Sequence, residues 1–114
     1  TESRIEAGSS PNNHSIQGFY DLTLSGGTYA LSLSPNAMTS QGASISGMGF
    51  DSHQGMGLTT YDADNDNWGG NCSQNYDNTP WWYYGCWGNS MWNSSNTDGP
   101  YFQGTKNWGA MWLR

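Results

Sequence analysis

Positive charge is scarce in this chain. Arg4, Lys106 and Arg114 stand against nine acidic side chains, for a net charge of −6 over 114 residues. A surface of that sign repels phosphate backbones and anionic headgroups, so nucleic acid is an unpromising partner. Long apolar runs are also missing. The longest cover a few residues, far short of the roughly 20 that a helical span needs, and no membrane insertion is expected. No stretch keeps a helical period, so any helix is a turn or two. The start at Thr1 lacks a leader pattern, as in a mature, processed product.

What the chain does have is turn-forming material. Gly, Ser and Asn supply 16, 15 and 12 residues, together 43 of 114. That composition predicts one domain of the α+β class: short antiparallel strands, long ordered loops and little helix. All seven Trp lie at or beyond residue 68, so the aromatic core belongs to the second half. Residues 1–17 are polar, carry the breaker cluster Ser9-Ser10-Pro11-Asn12-Asn13, and read as an arm or loop ahead of a domain over 18–114. Tyr20, Leu22 and Leu24, then Gly26-Gly27, then Tyr29, Leu31 and Leu33 read as a β-hairpin. Ala43 to Met48 reads as one more short strand.

Two cysteines in a small acidic chain point to one disulfide and an oxidising compartment outside the cell. Cys72 and Cys86 would close a 15-residue loop, a constraint worth about 3 kcal/mol in the chain-entropy view. Zinc is the rival reading. The gap between the cysteines is not a zinc spacing, and His14 and His53 lie far upstream. Asn13, Asn71 and Asn93 each head an N-glycosylation acceptor triplet.

Asp62-Ala63-Asp64-Asn65-Asp66-Asn67-Trp68-Gly69-Gly70 alternates carboxylates with small residues. Calcium takes six to eight hard oxygen ligands, which such a loop supplies from carboxylates and carbonyls together. An EF-hand is excluded: counted from Asp62, position six is Asn67 and position twelve is Ser73, and the flanks are not helical. A solvated acidic turn with local Asx bonds is the other reading. Just downstream come Trp81-Trp82-Tyr83-Tyr84 and Trp87. Neighbours in an extended chain alternate sides. Trp81 and Trp82 are assigned to the core of a domain poor in Leu, Ile and Val, and because the whole run cannot point inward, some of Tyr83, Tyr84 and Trp87 are assigned to a surface suited to sugar stacking or a protein contact.

The run from His53-Gln54-Gly55-Met56-Gly57 through Asp62-Ala63-Asp64-Asn65-Asp66 to Cys72 resembles the calcium segment of fibrinogen-related domains. Trp81-Trp82, Cys86 and Gly99-Pro100-Tyr101-Phe102-Gln103-Gly104 continue the likeness, and Tyr20 to Gly27 resembles the preceding strand. The resemblance implies the C-terminal part of a fibrinogen-like domain. It implies Ca2+ held by the side chains of Asp64 and Asp66 and the carbonyls of Trp68 and Gly70, with Asp62 in support. It also implies a ligand surface at Tyr84, Gly85, Cys86 and Trp87, with Trp108 and Trp112 as possible walls. Trp87 departs from the family, which usually has His there. The N-terminal subdomain and the strand after the last aromatic segment are missing, as in a minimal or truncated member.

Two functions follow as expectations. One is a secreted calcium-binding recognition module, a lectin-like domain for carbohydrate or protein. The other is an extracellular self-assembling subunit that turns the same aromatic surface on neighbouring copies. Either fits a homo-oligomer, since Ser- and Gly-rich strand edges are poorly guarded. An enzyme is not expected: His53 as base for a serine lacks any nucleophile motif around it.

Overall fold

In the computed structural model, the described residues are 1–36, 42–86, 90, 100–102, 104, 106 and 108–114. They form a four-stranded antiparallel sheet in the order β3-β2-β1-β4, with a loop-rich layer on one face. The strands are β1 Glu2–Ser10, β2 Asn13–Ser25, β3 Ala30–Pro35 and β4 Trp108–Leu113. Among the described residues helix is confined to single turns, α1 Ile45–Met48 and α2 Cys72–Asn75, with a 3-10 turn at Asp51–His53.

The β2–β3 hairpin forms where the alternation places it, with Leu22 opposite Leu33 and Leu24 opposite Leu31. Its turn needs positive φ at Gly26 (71°), and also at Tyr29 (54°). Tyr29 thus leaves the alternation and lies exposed at the hairpin tip. The outer edge of β3 is closed. Leu31 exchanges backbone bonds with Met56 and Gly55, and the Gln54 side-chain amide both donates to the Leu33 carbonyl and accepts from its N–H. One glutamine side chain stands in for a strand residue there.

Two expectations are corrected. Residues 1–17 are not an arm or loop: β1 is an inner strand, and β2 begins at Asn13. Ser3, Ile5 and Ala7 alternate into the core, but their side chains are small or few, so the period-two signal is faint. Residues 43–48 are not a strand. The Ser44 hydroxyl accepts the Gly47 N–H at 2.9 Å, and Gly49 ends the turn in a left-handed conformation. Those two caps favour a helical turn over extension.

The late aromatics are also placed differently from expectation. Trp108 and Trp112 lie on β4 opposite Gly8 and Arg4, on the sheet face away from the loop layer. Trp112 Nε1 donates to Glu6 at 3.0 Å, Gln17 donates to the same carboxylate at 2.7 Å, and Arg4 lies over the Trp112 ring. His14 stacks on Trp108 and reaches Glu6 at 3.2 Å. The Glu6 carboxylate is buried, and these donors compensate its desolvation.

On the other face, Ile5, Ala7, Tyr20, Leu22, Leu31 and Leu33 meet Met48, Phe50, Trp81, Tyr83 and Phe102 from the loops. Phe50 is central, with its ring against Tyr20, His53, Trp81 and Phe102. The Tyr20 hydroxyl donates to the Ala43 carbonyl at 2.8 Å and lies 3.2 Å from that of Ser44. Burial pushes its pKa up to about 12. Tyr20→Phe should lower unfolding free energy by about 1–2 kcal/mol, because both carbonyls lose their donor. Urea denaturation reads this directly, and an unchanged midpoint would show that the hydroxyl holds nothing.

Candidate functional site

The acidic loop is fixed from behind before its carboxylates come into play. Gly57 is buried where any Cβ would press on Asn65 and Thr28 at 2.9 Å, so only glycine lets the loop close on the hairpin tip. The Leu58 N–H then donates to the Thr28 carbonyl at 2.8 Å. Asn65 donates its side-chain amide to the Leu58 carbonyl, and its backbone N–H to the Thr59 hydroxyl. Asn71 donates to the Thr60 carbonyl and accepts the Gln74 N–H, which caps α2.

The loop carboxylates form a chain of Asx bonds. Thr60 donates to Asp62, the Asp66 N–H reaches Asp64 Oδ1 at 3.3 Å, and the Trp68 N–H reaches Asp66 Oδ1 at 2.9 Å. Asp66 Oδ2 accepts the Cys72 N–H at 2.8 Å. Both oxygens of Asp66 therefore hold backbone, while each keeps a lone pair for a further partner. Gly70 lies under the Trp68 indole, where a Cβ would meet the ring at 2.7 Å. Among the described residues, no hydrogen bond uses the Trp68 or Gly70 carbonyl. Nor do three His, Cys, Asp or Glu side chains converge anywhere among them. The oxygens left open on this loop are carboxylates and backbone carbonyls. That donor set is hard and suits calcium or water, not a soft metal.

Cys72 and Cys86 are disulfide-bonded, with Cα atoms 5.0 Å apart, which removes the zinc reading. Both are buried. Cys86 has φ of 74°, in the region that non-glycine residues avoid. The bridge holds it there beside exposed Gly85. A second tie joins the two segments: the Asn67 N–H donates to the Tyr84 carbonyl at 2.7 Å.

Sequence reasoning assigned Trp81 to the core, and its ring is buried against Phe50 and Phe102. Trp82 is half-buried and donates to the Tyr29 carbonyl at 3.0 Å. Tyr83 is buried with its hydroxyl on Thr79, and burial raises its pKa. Tyr84 turns outward and is 47% exposed. Trp87 and Asn93 lie outside the described residues. Asn13 is exposed at the start of β2, whereas both ends of the Asn71 amide are engaged. Trp108 and Trp112 are not walls of this surface, because they occupy the opposite face of the sheet.

His53 is fully buried, and its Nδ1 lies 2.8 Å from the Trp82 carbonyl, an arrangement that fixes the Nδ1–H tautomer. It lies among Phe50 and Trp81 rather than at a surface where a serine and substrate could meet it. The sequence around it, Asp51-Ser52-His53-Gln54-Gly55, carries no local sign of this burial, because Trp81 and the Trp82 carbonyl come from another segment.

The residue pattern of the family described as fibrinogen beta and gamma chains, C-terminal globular domain, matches residues 11–114. The chain belongs to this family. It is 37% identical to the fibrinogen alpha-2 chain of Petromyzon marinus over 81 residues, 67% of this chain and 12% of that one. It is 42% identical to fibrinogen-like protein 1 of Rattus norvegicus over 53 residues, 46% of this chain and 15% of that protein. The fold is that of the fibrinogen-like globe domain of human ANGPTL6, with a TM-score of 0.66 at 23% identity, over 96% of this chain and 54% of that domain. The corresponding domain of human ANGPTL2 gives the same TM-score and identity, with 56% of it covered. The chain therefore spans little more than half of these solved domains.

Burial lowers the His53 pKa below its ordinary 6.5, and the Trp82 carbonyl opposes this in part. A depressed folded value means that the unfolded chain takes up the proton first. Its contribution to stability is complete above about pH 6.5 and is lost as pH falls below that value. Melting curves from pH 7.5 down to about 5 should show a steeper fall for wild type than for His53→Gln. Parallel curves would remove this assignment.

Proposed function

We propose that this domain is a secreted, calcium-dependent recognition module whose ligand surface is built on Tyr84, Gly85 and Cys86, with Trp87 next in the chain. The observation that carries the reading is the double attachment of loop to surface. Asp66 accepts the Cys72 N–H, and the Asn67 N–H donates to the Tyr84 carbonyl. An ion held by Asp64, Asp66 and the carbonyls of Trp68 and Gly70 would stiffen both strands of that attachment, because calcium supplies a charge that the clustered carboxylates otherwise face alone. Exposed Tyr84 beside a rigid bridge suits stacking on a neutral sugar ring or burial against a protein. Carbohydrate is the first expectation, and Asn13 is the exposed candidate for a glycan of the domain's own. Against it stands a subunit that uses the same surface to bind its neighbours.

Calcium at about a hundred times its dissociation constant should stabilise the fold by about 2.7 kcal/mol. Two substitutions separate the ion from the scaffold. Asp64→Ala should abolish the calcium-induced rise in Tm with little cost in chelator, because its one internal bond is long. Asp66→Ala should abolish the rise and also cost about 2 kcal/mol in chelator, since two backbone N–H groups lose a charged acceptor. Identical wild-type melting with calcium and with chelator would refute the metal assignment.

For the ligand, a glycan array should give binding that chelator removes and Tyr84→Ala weakens at unchanged Tm. Array silence together with assembly that is lost in Tyr84→Ala would favour the subunit reading instead.

A further inference from the structure

We propose that β4 is a self-pairing edge: a second copy of this chain adds to it strand against strand, antiparallel, about a twofold axis through Met111. The argument starts from which way the backbone faces. The Arg114 N–H donates to the Glu2 carbonyl at 3.0 Å, and the register continues with Trp112, Ala110 and Trp108 opposite Arg4, Glu6 and Gly8. Hydrogen-bonding direction alternates along an antiparallel strand. The even-numbered residues of β4 therefore face β1, and Gly109, Met111 and Leu113 direct their N–H and C=O groups away from the sheet. Among the described residues nothing bonds to those outward groups.

The outward set is symmetric about Met111. With Met111 opposite its own copy, Gly109 meets Leu113 and Leu113 meets Gly109, so every outward donor and acceptor on both copies finds a partner. A slip of two residues leaves an outward residue of each copy without a strand partner. The side chains agree with the same register. Ala110 faces Trp112 and Gly109 faces Leu113, small against large, while Trp108 faces Arg114.

Leu113 gives the fit its sharpest feature. It is 59% exposed in the single copy and lies on the loop-layer side, opposite buried Ser3. On that side the partner's Gly109 and Met111 border an apolar groove of about 530 Å³, walled by Leu58, Pro80, Trp81 and Trp82. The register sets the Leu113 side chain of each copy toward the groove of the other. No charge and no proline interrupts Trp108–Leu113, so the edge lacks the usual guards against pairing. The other edge of the sheet, closed by Gln54, Gly55 and Met56, cannot pair in turn. Association therefore stops at a closed dimer and does not run on as a filament.

The test is sedimentation equilibrium of the 114-residue chain from micromolar to millimolar concentration, in calcium and in chelator, with hydrogen exchange read at single amides. The expected result is a monomer–dimer equilibrium in both buffers. The amides of Gly109, Met111 and Leu113 gain protection with concentration, while those of Ala110 and Trp112, already bonded to β1, stay protected throughout. Leu113→Lys brings a charge to the apolar groove and should weaken the dimer by about tenfold or more. Met111→Pro removes the N–H on the axis and should abolish it. Protection at Ala110 in each variant reports that β4 still pairs with β1. A chain that stays monomeric at millimolar concentration overturns the proposal. So does a dimer whose outward amides exchange freely, or one that Leu113→Lys leaves unchanged.

Discussion

The Cys72–Cys86 bridge is the constraint on which the loop-rich half of this molecule depends. Among its described residues that half has no strand of its own before β4, and between α1 and β4 their order comes from turns, caps and isolated bridges such as Thr59 with Trp81. A covalent tie of about 3 kcal/mol is a large share of the stability of a domain this size. It also sits inside the aromatic core rather than on the surface. The bridge holds Cys86 in a backbone conformation that costs about 1–3 kcal/mol for a residue with a side chain. Tyr84 and Gly85 are thereby presented outward beside buried Cys86, in a shape that an unbridged chain would relax.

Around that tie the acidic loop is arranged as a second, polar brace. Asp66 acts within the protein even without an ion, because its carboxylate gathers the N–H groups of Trp68 and Cys72. Asp64 does far less internally. The two carboxylates thus differ in role although the sequence presents them as equivalents. An ion bound there would be coupled to the folding of the loop through Asp66, and the Asn67–Tyr84 bond would carry that coupling to Tyr84.

Much of this was legible in the sequence, for reasons that differ element by element. The β2–β3 hairpin was readable because Leu22, Leu24, Leu31 and Leu33 alternate around a glycine pair and interact locally. The disulfide was readable because two cysteines leave one pairing. The family was readable because glycine, asparagine and aspartate in the 53–72 segment each meet a strict requirement, as Gly57 and Gly70 show. The inner strand β1 was not readable. Its partner β4 lies about a hundred residues away, and its apolar face is only Ser3, Ile5 and Ala7. The helical turn at Ile45–Met48 was missed because its caps, Ser44 and Gly49, look like ordinary members of a Gly/Ser-rich loop. Buried Glu6 and its aromatic cover were missed for the same reason as β1: nothing local announces a carboxylate whose partners come from Gln17, His14 and Trp112.

The claim at the centre of this account is that the acidic loop and the Tyr84 surface respond to calcium as one unit. A calcium titration followed by amide resonances tests it most directly. The account predicts that the amides of Asp66, Asn67, Trp68 and Cys72 shift with the same midpoint as those of Gly85 and Cys86, and that Asn67 exchanges more slowly once the ion is bound. Shifts confined to residues 62–70, with Gly85 and Cys86 unmoved at saturation, would contradict it.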